Sequence, residues 1–239
     1  MERAKYILIA LCVSLSVAVC GQAEGDVYKA YVQGNMGAWK TYIDAYKATS
    51  NEQKLSLVNY QYGYIGYCID NDKDDEAEKY LKKAKALVVE LEKQSYKSSM
   101  LNAYKSAFVG FEIGLSPYKA PFIGQESIDF AQKSVGQDAA NYFAYVQMGN
   151  IAYYRPAAFG GSKSEGLKQY LKALALLEKN SALLKNNWNY LNLLGSIIMG
   201  YYELEQYENA KKYCIKALTI EPNFVWVKNE LYPQVKKKL

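Results

Sequence analysis

The sequence predicts an all-α protein, a solenoid of about five helical hairpins finished by a C-terminal helix. Three observations predict it. Apolar and aromatic residues recur at three- and four-residue steps along the chain, and no run alternates with the two-residue period of a strand. Breakers cut this pattern into paired segments, at Gly34-Asn35, Asp70 to Asp74, Ser116-Pro117, 155–162 and Glu221-Pro222. A pair of small residues seven positions apart also returns on the second segment of every pair: Ala38/Ala45, Ala77/Ala84, Ser127/Ser134, Gly166/Ala173 and Ala210/Ala217.

The N-terminus is read separately. Arg3 and Lys5 precede an almost wholly apolar run, Tyr6 to Val19, and small residues follow at Gly21-Gln22-Ala23. That is the basic, apolar and small-residue order of a secretory signal peptide, expected over 1–23. The run is too short to serve as a permanent membrane span. Cleavage near Ala23 leads to a protein exported to the periplasm or secreted. Lipidation of Cys20 is the alternative, and Val19 before it fits that motif poorly.

One repeat domain is expected over 24–239, with hairpins at about 26–49, 54–94, 98–136, 138–180 and 183–220, and a cap at 223–239. In the last hairpin Ala210, Tyr213, Cys214 and Ala217 share one helical face, while Glu208, Lys211, Lys212 and Lys216 lie elsewhere. Seven residues is close to two helical turns, so Ala210 and Ala217 stack on one side, where small side chains let another helix approach. Pro222 cannot continue that helix and suits the first turn of the next. The tyrosines at 60, 62, 64 and 67 are too closely spaced to share one inward face, so exposed aromatics are expected on that helix.

These residues resemble a tetratricopeptide repeat. With Leu191 as its first position, Tyr201, Tyr207, Ala210, Ala217 and Pro222 of the unit 191–223 fall where that family carries Tyr, Tyr, Ala, Ala and Pro. Leu194, Ile197 and Ile198 replace its Trp and Leu-Gly. Met148-Gly149 fits the Leu-Gly place in the fourth hairpin, where Gly166 stands for the usual Ala, and Tyr62-Gly63 with Ala77 and Ala84 marks the second. The resemblance implies a curved scaffold whose first helices line a concave groove. Carried over position by position, the groove residues are Tyr60, Tyr64 and Tyr67, then Phe143, Asn150 and Tyr153, then Asn192, Tyr202 and Glu203.

Chemistry is limited by what is missing. The chain has no histidine, which excludes His-based triads and His-ligated metals. Asp70-Asn71-Asp72-Lys73-Asp74 starts like a calcium loop, but Asp75 and Leu81 stand where such a loop needs Gly and Glu. Acidic residues there suit a helix N-terminus. Charges of both signs are spread along the chain, so no nucleic-acid footprint is expected. Cys68 and Cys214 read as buried thiols. The loop 155–162 resembles insertions in exported repeat proteins, and Phe159 is expected to pack over its hairpin end.

The expected function is therefore a non-enzymatic exported scaffold that binds a protein or peptide on its concave face, without cofactor or metal. The alternative is a small-ligand or glycan-binding component of an envelope uptake system, with aromatic residues stacking on the ligand. A carboxylate-based hydrolase is a third class, with no pair of carboxylates marked out for it.

Overall fold

The computed structural model describes residues 25–239, so the leader and Cys20 lie outside the described residues. Helices α1 (25–32) and α2 (Met36–Ala45) make the first hairpin. Four longer hairpins follow: α3 (Asn51–Asp70) with α4 (Asp74–Glu92), α5 (Ser98–Leu115) with α6 (Ala120–Gln137), α7 (Tyr142–Tyr154) with α8 (Lys163–Leu177), and α9 (Trp188–Glu203) with α10 (Tyr207–Ile220). A π-helical turn, Val227–Leu231, leads into α11 (Tyr232–Lys236). No strand occurs among the described residues, and the all-α repeat solenoid is borne out. No helix among them is long and apolar enough to cross a membrane.

Local chemistry sets the helix ends. Ser50 and Gln53 form a reciprocal capping box at α3, and Asn141, Ser162 and Asn187 cap α7, α8 and α9 with their side chains. Asp74, Asp75 and Glu76 open α4, where negative charge suits the N-terminal end of the helix dipole. The α3–α4 and α9–α10 turns reverse through Asp72 and Glu205 in the left-handed region, with φ of 55° and 58°.

The small residues work as spacers inside the hairpins. Ala77, Ala84, Ser127, Ser134, Gly166, Ala173, Ala210 and Ala217 are all buried. In the third hairpin the serines also tie α5 to α6. Ser106 and Ser127 each donate to the other's backbone carbonyl, at 2.8 and 2.9 Å, and Ser99 and Ser134 do the same at 2.9 and 2.7 Å. Ser134→Ala removes one of these buried bonds and is expected to cost about 1 kcal/mol in urea unfolding, against an unchanged far-UV helix signal. The first pair differs. Ala38 is half-buried and Ala45 exposed, because α2 turns Trp39 and Ile43 inward instead.

Successive hairpins pack α4 on α5, α6 on α7 and α8 on α9, while α3, α5 and α7 run side by side. The solenoid winds tightly enough for its ends to meet. The ring of Tyr62 on α3 lies 6.0 Å from Tyr104 on α5, 5.2 Å from Phe143 on α7 and 6.1 Å from Trp188 on α9. One side chain reaches three other first helices only on the inner side of a closed curve. Tyr31 and Trp39 of the first hairpin enter the same cluster against Trp188, at 5.6 and 5.0 Å. The inner side is thus packed with the chain's own aromatics.

Candidate functional site

The nine groove residues fall into three environments. Tyr60, Tyr64 and Phe143 are core side chains. Tyr60 lies edge-on to Tyr46, and its carbonyl accepts the Trp39 indole N–H at 3.0 Å. Tyr64 turns toward α4, stacks edge-on with Tyr80 and donates to Glu76 at 3.0 Å. Tyr67 is half-buried and accepts a bond from Lys73 at 2.9 Å. Asn150 accepts from the Tyr170 hydroxyl at 2.8 Å and donates to Gln147 at 3.1 Å. The neighbouring Tyr153 is buried against Tyr170, and its hydroxyl has no hydrogen-bond partner.

Asn192 accepts from Tyr31 of the first hairpin at 2.9 Å. Tyr202 and Glu203 stand at the far end of α9, and Glu203 pairs with Lys163. The structure brings Asn150 and Tyr153 together on α7, and Tyr202 and Glu203 together on α9, but it does not join the nine into one groove. Nor do the four close-spaced tyrosines leave an exposed row. Tyr60, Tyr62 and Tyr64 are buried and Tyr67 half-buried, because α3 is covered by α2, α4, α5 and the aromatic cluster from α9.

Two hollows can be measured. A cleft of about 150 Å³ lies between α9 and the C-terminal segment, lined by Ile198, Met199, Tyr202, Glu203, Leu231, Gln234 and Val235. A small-molecule site usually needs roughly 300–1,000 Å³, so this cleft is too small for a cofactor-sized ligand. A wider depression of about 410 Å³ covers the acidic turn Asp72 to Glu76. No group of three or more acidic or thiol side chains is placed to hold a metal among the described residues. Cys68 and Cys214 are buried and free, and burial pushes their thiols up to about 11 and about 12.

The exposed aromatics lie elsewhere. Tyr118, Phe122, Tyr154 and Phe159 are 74, 84, 72 and 71% exposed. Tyr118 and Phe122 follow the α5–α6 turn, where Pro117 opens a short 3-10 turn and Pro121 opens α6. Tyr154 ends α7, and Phe159 closes a second 3-10 turn before α8. All four therefore sit at the turn edge of two neighbouring hairpins. Phe159 does not pack over its hairpin, contrary to expectation. The loop is closed on itself: the Arg155 guanidinium donates to the Gly160 carbonyl at 2.9 Å, Ser162 N–H donates to the Ala152 carbonyl at 2.7 Å, and a Cβ at Gly161 would sit 1.7 Å from the Arg155 carbonyl oxygen. The Phe159 ring stays outside this closed turn.

Tyr154 differs from the other three. Water reaches its side chain, yet burial is the first cause that pushes its phenol up to about 12, followed by the charge of Asp70 and the Tyr62 phenol. The Asp70 carboxyl, also exposed, is likewise raised by burial. Tyr154 and Asp70 end α7 and α3 and lie near enough for the Asp70 charge to act on the Tyr154 phenol. Burial also raises the Tyr62 phenol, and Gln147 and Asn150 oppose the rise. Gln147 is itself buried, and its Nε2 finds no acceptor at hydrogen-bonding distance. Sequence periodicity missed these groups because it scores a residue by its helical face. Tyr118, Phe122 and Phe159 stand next to prolines and turns, and that position was the available signal.

No family model matches the sequence, and no curated protein matches it. A solved structure does share the fold. The chain is similar to the HusA haemophore from Porphyromonas gingivalis, with a TM-score of 0.57 and 17% identity over 81% of this chain and 93% of that one. It also aligns with a signal-transduction ATPase carrying a tetratricopeptide repeat sensor from Pyrococcus horikoshii. There the TM-score is 0.39 and the identity 17%, over 90% of this chain and 31% of that one.

Proposed function

We propose that the protein is a non-enzymatic binding scaffold of tetratricopeptide-like hairpins, exported from the cell, that takes a flat apolar ligand of the tetrapyrrole type on its aromatic turn edge. The observation that carries this reading is the division of the aromatics. The inner side, where a repeat solenoid would hold an extended peptide, is filled by Tyr31, Trp39, Tyr62 and Trp188. Four aromatics, Tyr118, Phe122, Tyr154 and Phe159, are left outside on the turn edge of two neighbouring hairpins. Exposed apolar groups gathered in one place mark a contact surface. The leader pattern over 1–23 supports export, and the likeness to a haemophore over nearly all of that chain supports a haem-like cargo.

The chain has no histidine to ligate the cargo metal, and burial raises the Tyr154 phenol, which disfavours its ionised form. Ring stacking and apolar area would then supply the affinity. The expected result is saturable 1:1 binding of haemin, followed by absorbance and by aromatic fluorescence quenching. Metal-free protoporphyrin should bind within a few-fold of it. Tyr154→Ala combined with Phe159→Ala should weaken both roughly tenfold, or about 1.4 kcal/mol, with the helix signal unchanged.

Failure of both ligands to bind saturably would overturn the tetrapyrrole reading. A protein or peptide segment is the second reading, because the aromatic edge spans two hairpins and so presents a length of surface. Crosslinking from Tyr118 and Phe122 positions in the native envelope would then recover that partner, and a glycan array would test a carbohydrate.

A further inference from the structure

In a repeat solenoid each hairpin contacts only its neighbours, and stability passes from one to the next. The first hairpin breaks that rule. Tyr31 on α1 donates to Asn192 on α9 at 2.9 Å, 161 residues away, and Tyr28 donates to Glu221 at 3.1 Å, 193 residues away. The Tyr31 ring lies 5.4 Å from Phe224. From α2, Trp39 meets Trp188 across α3 at a position where α3 has no side chain: a Cβ at Gly63 would stand 2.7 Å from Trp188 and 2.8 Å from Trp39. Residues of α1 and α2 thus touch the second hairpin and the C-terminal end of the curve together.

We infer that the first hairpin is a closing strap. It locks hairpin one to hairpin five, so the packed inner aromatic cluster opens only when the strap and the α9 end release together. The inference concerns closure of the inner face and does not depend on what the outer edge binds. Its physical basis is that the strap's hydrogen bonds to the far end come from two phenol hydroxyls, Tyr28 and Tyr31, each replaceable by a hydrogen without loss of the ring. Hydrogen exchange reports such local openings segment by segment.

In the unmutated protein, amides of 25–32 and of α9 should exchange through one shared opening, with the same dependence on low urea. In the Tyr28→Phe, Tyr31→Phe double variant both segments should exchange roughly tenfold faster, while α5 and α6 keep their rate. If 25–32 exchanges independently of α9 in the unmutated protein, or if only 25–32 speeds up in the variant, the first hairpin is a frayed end and the strap is overturned. The unmutated measurement decides the question even if the variant folds poorly.

Discussion

Trp188→Ala is expected to cost about 3–5 kcal/mol in urea unfolding, the range for truncating a large buried aromatic. Trp188 is buried at the junction of three elements, with its ring 5.6 Å from Tyr31, 5.0 Å from Trp39 and 6.1 Å from Tyr62. Its indole N–H donates to Asn59 at 2.8 Å, and Asn59 in turn donates to Tyr104 at 2.8 Å and accepts from Asn189 at 3.1 Å. Alanine therefore opens a cavity and also leaves Asn59 short of a donor. Domains of this kind are stable by roughly 5–15 kcal/mol, so the variant should be close to unfolding at room temperature. Trp226→Ala, at a half-buried ring, should cost clearly less. A cost below about 1.5 kcal/mol for Trp188→Ala would mean that the inner cluster does not join the ends.

The helices were legible in the sequence because burial on one face imposes the helical period, and four of the five spaced small pairs do lie at helix contacts. The pair at Ala38 and Ala45 does not, because α2 serves the strap and not the next repeat: Trp39 carries the inward role. The site was less legible. Position counting aims Tyr60 and Asn192 at the inner side, and there the structure engages them with the first hairpin. That engagement depends on a contact 161 residues long, between Tyr31 and Asn192, and no local period encodes it. The turn-edge aromatics escaped for the opposite reason. They belong to no periodic face, so only their exposure, visible after folding, separates them from core.

Adding one methyl group should have opposite signs at two helical glycines. Gly110→Ala in α5 is expected to stabilise the protein by about 0.5–1 kcal/mol, because the chain loses less backbone entropy on folding. Its new Cβ meets nothing within 4 Å. Gly149→Ala in α7 gains the same propensity and loses far more. Its Cβ would fall 2.4 and 2.5 Å from two ring carbons of Tyr170 and 3.2 Å from the Gly166 carbonyl oxygen. Tyr170 cannot swing aside, being buried with its hydroxyl bonded to Asn150 at 2.8 Å. A Cβ at Gly166 would likewise stand 2.8 Å from the Tyr153 Cβ, so α7 and α8 are already at closest approach and must separate. Overpacking of that kind costs about 1–3 kcal/mol and should outweigh the propensity gain. Urea midpoints of the two variants, read at equal slope, check the sign of each. A neutral or stabilising Gly149→Ala would show that the fourth hairpin relaxes freely, and the spaced small residues would lose their role as fixed points of helix contact.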